Sequence, residues 1–319
     1  MAPILIHIGY HKTGTNWLQR ELFDDQEAGY RWLGKRPAAH PIWALVSDRA
    51  LEFDGARVRG SFTSRLAEAE EQGLLPVVSL ERLSGHPFSG GHDASQIAER
   101  LQAVFPEGRV LAVIREQRSM IVSTYKQYVK AGGAVSLAQF LDPPTRQNWR
   151  VPGFDFRHFE YEHLIRKYHQ LYGGEHVLVL PYEHFAREGR GFVERIAEFA
   201  GQPIPAEVLS RLPYSKRYNE SPSPLAVSAL RRLNKLSPRT ELNPAPLVQS
   251  RLVGALADRL KASEALSASP ARQLAARTEA RLRSEIAEIV GERYAESNRR
   301  TAEVADVDLA GYGWPVAQP

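Results

Sequence analysis

Short, nearly continuous apolar runs alternate with longer helical patterns along the first two-thirds of the chain. The apolar runs cover residues 3–9, 30–34, 74–81, 109–115 and 176–183. Helical patterns cover about 15–23, 61–72, 94–105 and 160–172. Runs that are apolar at nearly every position are typical of parallel strands covered on both faces, and helices between them predict right-handed β-α-β units. The expected architecture is a three-layer, doubly wound parallel α/β sheet.

The last third of the chain has a different pattern. From about residue 206 no strong strand pattern occurs, and residues 221–238 and about 246–300 have helical patterns interrupted by prolines. Proline interrupts helices because it lacks an amide hydrogen. The sequence therefore predicts an α/β core over residues 1–205 and a helical C-terminal extension over residues 206–319 that packs on it.

Polar side chains follow several of the predicted strands at the point where each strand ends. The first run ends in the loop 9–15, the third in Glu81, the fourth in Arg115, and the fifth in Tyr182 and Glu183. In open α/β sheets, ligands bind beyond the carboxyl ends of the strands. We therefore expect a glycine turn, a carboxylate, a guanidinium and an aromatic ring to converge on one crevice.

The loop after the first run, GYHKTGTNW, has the composition of an anion site. Gly9 and Gly14 keep the glycine spacing of the nucleotide-binding loop G-x-x-x-x-G-K-[ST], but the lysine stands at position 12 and Thr15 takes its usual place. Glycines let successive backbone N–H groups point at an oxyanion, and the start of the following helix adds a positive end. A plain strand-to-helix turn would not need this density of donors.

A second anion contact is predicted at the end of the fourth strand. Arg115 ends that strand and Ser123 follows in the second turn of a helix that begins near Gln117. A guanidinium fork with a hydroxyl beside it suits a second phosphate. The alternatives are a surface ion pair for Arg115 and a small packing position for Ser123.

Composition and charge narrow the class of protein. The 319 residues carry a net charge of only +4, spread along the chain, so a nucleic-acid groove is not expected. The absence of cysteine excludes disulfides, thiolate metal sites and a cysteine nucleophile. No apolar run approaches the ~20 residues of a membrane span, and no signal peptide is recognisable. The expected location is the cytoplasm.

Three motifs together carry a family resemblance. They are the loop GYHKTGTNW, the R-x7-S pair in IREQRSMIVSTYKQY, and LPYEHF at the end of the fifth strand. They resemble the sulfotransferases that use 3′-phosphoadenosine 5′-phosphosulfate (PAPS), most closely the bacterial and carbohydrate-type members, as does the C-terminal stretch 294–315. The resemblance implies a P-loop NTPase-like fold and in-line transfer of a sulfuryl group to an acceptor hydroxyl or amine, with no metal required.

The resemblance also implies roles for individual residues. Lys12 would stabilise the departing phosphate oxygen, Tyr182 would lie near the adenine, and Arg217 would close over the 3′-phosphate. Asn16 stands where a threonine is usual, which implies altered donor affinity without loss of function. The donor-binding set is His11, Lys12, Thr13, Gly14, Thr15, Asn16, Trp17, Arg115, Ser123, Tyr182 and Arg217.

Glu81 is the candidate base that takes the proton of the acceptor, because it ends the strand predicted to lie beside the first. The resemblance permits a glutamate or a histidine in this region. His86 and His11 are the competing candidates. Glu81 and His86 could also have no catalytic role: Glu81 could form a salt bridge with a nearby arginine, and His86 could simply be exposed in a loop.

Other functions stay open at this stage. A phosphotransferase (kinase) that uses ATP would need a magnesium-binding carboxylate; Arg115 would repel the metal, although Glu81 does not formally exclude it. A non-catalytic nucleotide-binding protein is the third class. The acceptor is a glycan, a glycolipid or other lipid-linked molecule, a peptide tyrosine or a small natural product, and the oligomeric state is open. The aromatic segment 137–161 either lines the acceptor pocket or packs in the core.

Overall fold

Five parallel strands form the sheet in a computed structural model, which describes residues 3–34, 40–143, 152–218, 224–262 and 269–318. The strands are β1 (Ile4–His7), β2 (Tyr30–Trp32), β3 (Leu75–Ser79), β4 (Gly108–Ile114) and β5 (Val177–Pro181). Their order is β2-β3-β1-β4-β5, and every pairing is parallel. The predicted α/β class with a parallel sheet and a helical C-terminal region is confirmed.

The predicted helices also occur, with boundaries that differ by a few residues. The α-helices are α1 (Thr15–Trp17), α2 (Ala44–Ser47), α3 (Gly55–Gly60), α4 (Thr63–Glu71), α5 (Ala94–Val104), α6 (Gln117–Lys130), α7 (Leu137–Leu141), α8 (Tyr161–Tyr172), α9 (Tyr182–Arg187), α10 (Gly189–Ala200), α11 (Ala206–Arg211), α12 (Pro224–Asn234), α13 (Arg251–Ala262), α14 (Ser269–Val290) and α15 (Ala295–Ala305). Short 3-10 helices are Pro41–Trp43, Ala50–Glu52, Glu81–Ser84, Pro87–Ser89, Phe156–Phe159, Gly174–His176 and Ala310–Tyr312.

One helix differs in kind from the prediction. The pattern over residues 15–23 predicts a single α-helix, but α1 passes into a π-helix over Leu18–Leu22. The side chains of Leu18, Gln19 and Leu22 are all buried in this wider turn. Gln19 uses its position to donate from Nε2 to the backbone oxygen of Ser79, at 3.1 Å. A pattern of apolar positions does not reveal such a local change of helix type.

Burial on both faces explains why the strands read as continuous apolar runs. All residues of β1 and β3 are buried, and so are those of β4 except Arg109. On one side, Leu5 and Leu111 belong to the same core cluster as Phe192 and Ile196 of α10. Each such side chain contributes ~1.5–3 kcal/mol when it is removed from water. This packing holds the strand ends in fixed positions.

The strand order places a crevice between β1 and β4. From β1 the chain continues to β2 on one side of the sheet, whereas from β4 it continues to β5 on the other. Neighbouring strands whose connections diverge leave a ligand-binding crevice beyond their carboxyl ends. The chain after β1 stays close to β4, because Ile8 N donates to Leu111 O at 3.0 Å and Tyr10 N donates to Val113 O at 3.1 Å.

The chain divides into two compact units. The first comprises residues 1–116, 157–218 and 293–319 and contains the sheet; the second comprises residues 117–156 and 219–292. These units are not the domains expected from the sequence, an α/β core over residues 1–205 and a helical extension over 206–319. That domain boundary stays a prediction. Within the described ranges, no helix is both long enough and apolar enough to span a membrane.

Most aromatic rings of the segment 137–161 that the structure describes are packed. Phe140 and Phe154 lie 5.0 Å apart between ring centroids, and Phe156 meets Phe154 edge-on at 5.0 Å. Trp149 and the neighbouring arginines at 146 and 150 fall outside the described residues. For the described rings, the burial supports the core-packing interpretation.

A buried amide organises the second unit. The Nδ2 of Asn234 donates to Val129 O, in the last turn of α6, at 2.8 Å and to Gly133 O, three residues after the helix, at 2.9 Å. Asn243 Nδ2 donates in turn to Asn234 O at 2.7 Å. Carbonyls at a helix end have no partner within the helix and need one from elsewhere. Asn234 therefore ties α12 to α6.

We predict that Asn234→Ala destabilises the protein by ~1–3 kcal/mol, because the buried Gly133 carbonyl loses the Asn234 donor and Val129 O keeps only its backbone donor, Gly132 N. Urea unfolding followed by circular dichroism measures the change. Ser228→Ala, an exposed substitution on the same helix, serves as the control. Equal unfolding free energies for the two variants would contradict the role assigned to Asn234.

Candidate active site

The loop after β1 turns through two left-handed residues before α1 begins. Lys12 has φ 67° and Gly14 has φ 86°. A non-glycine residue in this region is strained, which is frequent at binding sites. The Thr13 hydroxyl donates to Tyr10 O at 2.5 Å and closes the turn. The chain then enters α1 at Thr15 with Gly14 as its N-terminal cap.

Arg115 lies beside this loop, directly after β4 ends. Its Nη1 donates to Lys12 O at 3.1 Å. Its guanidinium lies over the ring of Tyr182, 5.1 Å from the centroid. The same ring faces Gly14, where a Cβ atom would sit 3.4 Å from it. The structure thus brings together Lys12, Gly14, Arg115 and Tyr182, which the strand-end argument expected to converge.

Two side chains hold the peptide group between Arg115 and Glu116. The Tyr161 hydroxyl donates to Arg115 O at 2.6 Å, and Glu116 N donates to Glu183 Oε1 at 3.2 Å. Trp314 Nε1 donates to the other Glu183 oxygen at 3.3 Å. Sequence reasoning assigned no supporting role to Tyr161 or Trp314, because no local pattern relates residues so far apart in the chain.

The loop fits an oxyanion. Thr15 Oγ1 is buried at the turn into α1 and has no hydrogen-bond partner among the described residues. A buried hydroxyl without a partner costs free energy, so a ligand oxygen would satisfy it. Lys12 and Arg115 supply positive charge beside it. A phosphate or sulfate group is the chemistry that this donor set would accept.

Glu81 begins the 3-10 helix that follows β3 and is partly buried. Burial raises the pKa of its carboxyl above the usual glutamate value, while the positive charge of Lys12 acts to lower it. The neighbouring Arg82 forms its ion pair with Asp93. Among the described residues, no ion pair joins Glu81 to an arginine, so the salt-bridge alternative gains no support there.

His11 and His86 meet beside the loop, with ring centroids 5.1 Å apart. The pKa of His11 is well below its usual value, first because of burial and then because of the charges of His86, His158, Arg82 and Lys12. His11 is therefore neutral near pH 7. His86 is partly buried rather than simply exposed, and its Nδ1 accepts from Phe88 N at 3.2 Å.

A later segment is docked on the helix that follows the loop. Trp17 is buried, and its Nε1 donates to Pro213 O at 2.9 Å. Lys216 pairs with Glu21 at 2.9 Å. Arg217, the residue after Lys216, is exposed to solvent. Trp17 therefore supports the segment that carries Arg217. The contact of Trp17 with the sulfuryl donor stays a prediction.

Ser123 lies in the second turn of α6, as expected, and is partly buried. It belongs to the second compact unit. Its pairing with Arg115 on one phosphate stays a prediction. Asn16, which is partly buried in α1, likewise keeps its predicted donor role as an expectation.

The chain matches the family model described as "Sulfotransferase domain" over residues 3–219. A sulfotransferase from Alicyclobacillus acidocaldarius is 17% identical, with 73% of this chain and 93% of that chain covered and a TM-score of 0.47. One from Mycobacterium avium is 14% identical, with 82% and 77% covered and a TM-score of 0.41. The sulfotransferase domain of the Synechococcus PCC 7002 olefin synthase is 12% identical, with 89% and 94% covered and a TM-score of 0.36.

No curated protein sequence matches the chain.

We predict that Glu81→Gln raises the stability of the folded protein at pH 7. Because burial raises the folded-state pKa of Glu81, its ionised form costs stability above that pKa, and the cost disappears below the ordinary glutamate value. The glutamine variant should therefore have the higher melting temperature at pH 7, and the difference should shrink as the pH falls. Glu70→Gln, at an exposed glutamate of α4, should show no such gain. A lower melting temperature for Glu81→Gln at pH 7 would contradict the cost assigned to burying the Glu81 carboxylate.

Proposed function

Because the chain belongs to the sulfotransferase family, we propose that it transfers a sulfuryl group from PAPS to an acceptor hydroxyl. The observation that supports this most is that the loop carrying Lys12, after β1, and Arg115, after β4, lie together at the switch point, where Arg115 Nη1 donates to the Lys12 backbone oxygen at 3.1 Å. A nucleotide with phosphate at both ends needs two separate cationic contacts. PAPS, when bound, supplies the activated sulfuryl group.

The two sides of the crevice would bind the two phosphate-bearing ends of PAPS. The loop, with the Thr15 hydroxyl and the Lys12 ammonium, would hold the 5′-phosphosulfate. Arg115, whose guanidinium lies over Tyr182, would hold the 3′-phosphate, and the Tyr182 ring would lie near the adenine. His11, Thr13, Gly14, Asn16 and Trp17 complete the loop side, and Arg217 and Ser123 are assigned by resemblance.

Lys12 would act where charge develops. In sulfuryl transfer, negative charge grows on the phosphate oxygen that leaves, and a preorganised ammonium stabilises it more than it stabilises the starting state. The left-handed backbone at Lys12 fixes the start of its side chain at the loop. The displaced lysine of the sequence motif therefore has a role that the usual lysine position would not serve.

Glu81 would accept the proton of the acceptor hydroxyl. Burial raises its pKa and makes it a stronger base, while Lys12 acts in the opposite direction. His86 is the alternative base, and its ring centroid lies 5.1 Å from that of His11 in the loop after β1. The pH dependence of the transfer rate and the activity of Glu81→Gln distinguish Glu81 from His86 as the base.

A phosphotransferase has less support. Thr15 stands where the nucleotide-binding loop of kinases has its lysine. Magnesium-dependent ATP turnover by the purified protein would favour that function instead.

We predict that the protein binds adenosine 3′,5′-bisphosphate more tightly than adenosine 5′-phosphate, and that Arg115→Ala removes the preference. Loss of a charge-assisted contact corresponds to about a 10- to 100-fold loss of bisphosphate affinity. Isothermal titration calorimetry with both nucleotides measures it. Arg195→Ala removes a charge on the surface of α10 and should change neither affinity. Equal affinities of the unmodified protein for the two nucleotides would refute the second phosphate contact.

We predict that Glu81→Gln keeps bisphosphate binding but lowers sulfuryl transfer by ~10²–10⁴-fold, as expected for a lost general base. Transfer from radiolabelled PAPS to a panel of glycan, glycolipid and small-molecule hydroxyl acceptors measures it and identifies the acceptor. In the unmodified enzyme, the rate should fall as the pH drops through the raised pKa of Glu81. Full turnover by the variant would eliminate Glu81 and direct attention to His86.

A further inference from the structure

The backbone next to Arg115 is held at both of its polar groups. Tyr161 donates to the carbonyl of residue 115 at 2.6 Å, and Glu183 accepts from the amide of residue 116 at 3.2 Å. Both groups belong to one peptide plane, so its orientation is fixed. Because the Arg115 side chain leaves the chain at this plane, the two hydrogen bonds also decide where its guanidinium can reach.

Trp314 contacts both of these side chains. Its Nε1 donates to Glu183 Oε2 at 3.3 Å, and its ring lies 5.9 Å from the ring of Tyr161. The indole is 4% exposed. A single residue near the C-terminal end of the sequence thus supports the two groups that hold the Arg115–Glu116 peptide.

The segment 308–317, which carries Trp314, is itself anchored. Arg187 Nη1 donates to Gly311 O at 2.6 Å, and its guanidinium lies 5.0 Å from the ring centroid of Tyr312. Asn298 Nδ2 donates to Pro315 O at 2.8 Å. These contacts join the segment to both α9 and α15, so Trp314 has a fixed support.

The preceding helix, α15, is anchored in turn to a buried carboxylate of α8. Glu162 of α8 is 1% exposed and accepts from Arg300 Nη2 at 2.8 Å and from Ser297 Oγ at 2.5 Å. Because α8 begins with Tyr161, the same packing that fixes α15 also fixes the tyrosine.

We propose that Trp314 is a positioning residue for the nucleotide, which sets the affinity for its 3′-phosphate by holding Glu183 and Tyr161 against the Arg115–Glu116 peptide. This inference rests on the proposed function, because it takes Arg115 as the 3′-phosphate contact. Trp314 does not touch the nucleotide in this scheme. It acts through Glu183, and the residue before Glu183 is Tyr182, whose ring lies under the Arg115 guanidinium.

The electrostatics of Glu183 support a link with Arg115. Burial raises the pKa of the Glu183 carboxyl, and hydrogen bonds from the backbone, the charge of Arg115 and the Trp314 N–H act to lower it. Removing the indole donor leaves one carboxylate oxygen without this partner in a largely buried place. The carboxylate would then rearrange towards another donor, and Arg115 is a charged group that already interacts with it. An arginine drawn to Glu183 is less available to a phosphate.

The decisive experiment compares the affinities of Trp314→Phe for adenosine 3′,5′-bisphosphate and adenosine 5′-phosphate. Phenylalanine keeps a ring beside Tyr161 and removes only the N–H donor. We expect bisphosphate affinity to fall by about tenfold, the size of one hydrogen bond to a charged group, with 5′-phosphate affinity unchanged. The KM for PAPS should rise by the same factor, whereas kcat at saturating PAPS should stay the same. Trp43→Phe, at an exposed tryptophan of the same unit, is the matched control.

A double-mutant cycle tests whether Trp314 acts through Glu183. If it does, Trp314→Phe combined with Glu183→Gln should weaken the bisphosphate no more than the stronger single variant does, because both remove the same link. Additive losses, or equal losses for the two nucleotides, would overturn the positioning role and leave only general stabilisation. Should Trp314→Phe fail to fold, Tyr161→Phe, which removes the donor to Arg115 O, carries the same comparison. A failure of the unmodified protein to prefer the bisphosphate is a separate result, which would refute the proposed function itself.

Discussion

One hydrogen bond, from Arg115 Nη1 to Lys12 O, joins the two strand ends on which the site depends. It connects the residue after β4 with the loop after β1, across the place where the sheet connections diverge. The bond ties the Arg115 side chain to the backbone of the loop that carries Lys12, and the two residues belong to different β-α-β units. The parallel sheet makes this spacing possible because its strands end at one edge, and its buried core keeps that edge rigid.

The site carries local costs that the surrounding fold offsets. Lys12 adopts a left-handed backbone, Thr15 keeps a buried hydroxyl without a described partner, and burial raises the pKa of Glu81. Each feature costs stability in the free protein; an anionic ligand would give the Thr15 hydroxyl a partner, and the proposed reaction would use the Glu81 carboxylate as its base. Strain and unsatisfied donors of this kind are characteristic of preorganised sites. The remaining structure, from the strand core to the anchored segment 308–317, keeps them in place.

The sequence predicted much of the fold and part of the site. All five strands were found within about two residues, because strands buried on both faces leave continuous apolar runs, and the strand-end rule brought Arg115 to the glycine loop. The support of Arg115 was not predictable. Trp314 and Glu183 lie 131 residues apart, and their contact depends on tertiary packing that no local pattern encodes. The π-helix after Trp17 was missed because one widened turn leaves the apolar spacing almost unchanged.

The Lys12 loop and Arg115 are proposed to hold opposite ends of one nucleotide, and the assigned function depends on this arrangement. A crystal structure of the protein with adenosine 3′,5′-bisphosphate tests it most directly. We expect the 5′-phosphate within hydrogen-bond distance of the Thr15 hydroxyl and the Lys12 ammonium, and the 3′-phosphate within hydrogen-bond distance of the Arg115 guanidinium. A nucleotide bound with its 3′-phosphate away from Arg115, or bound outside the crevice between β1 and β4, would contradict it.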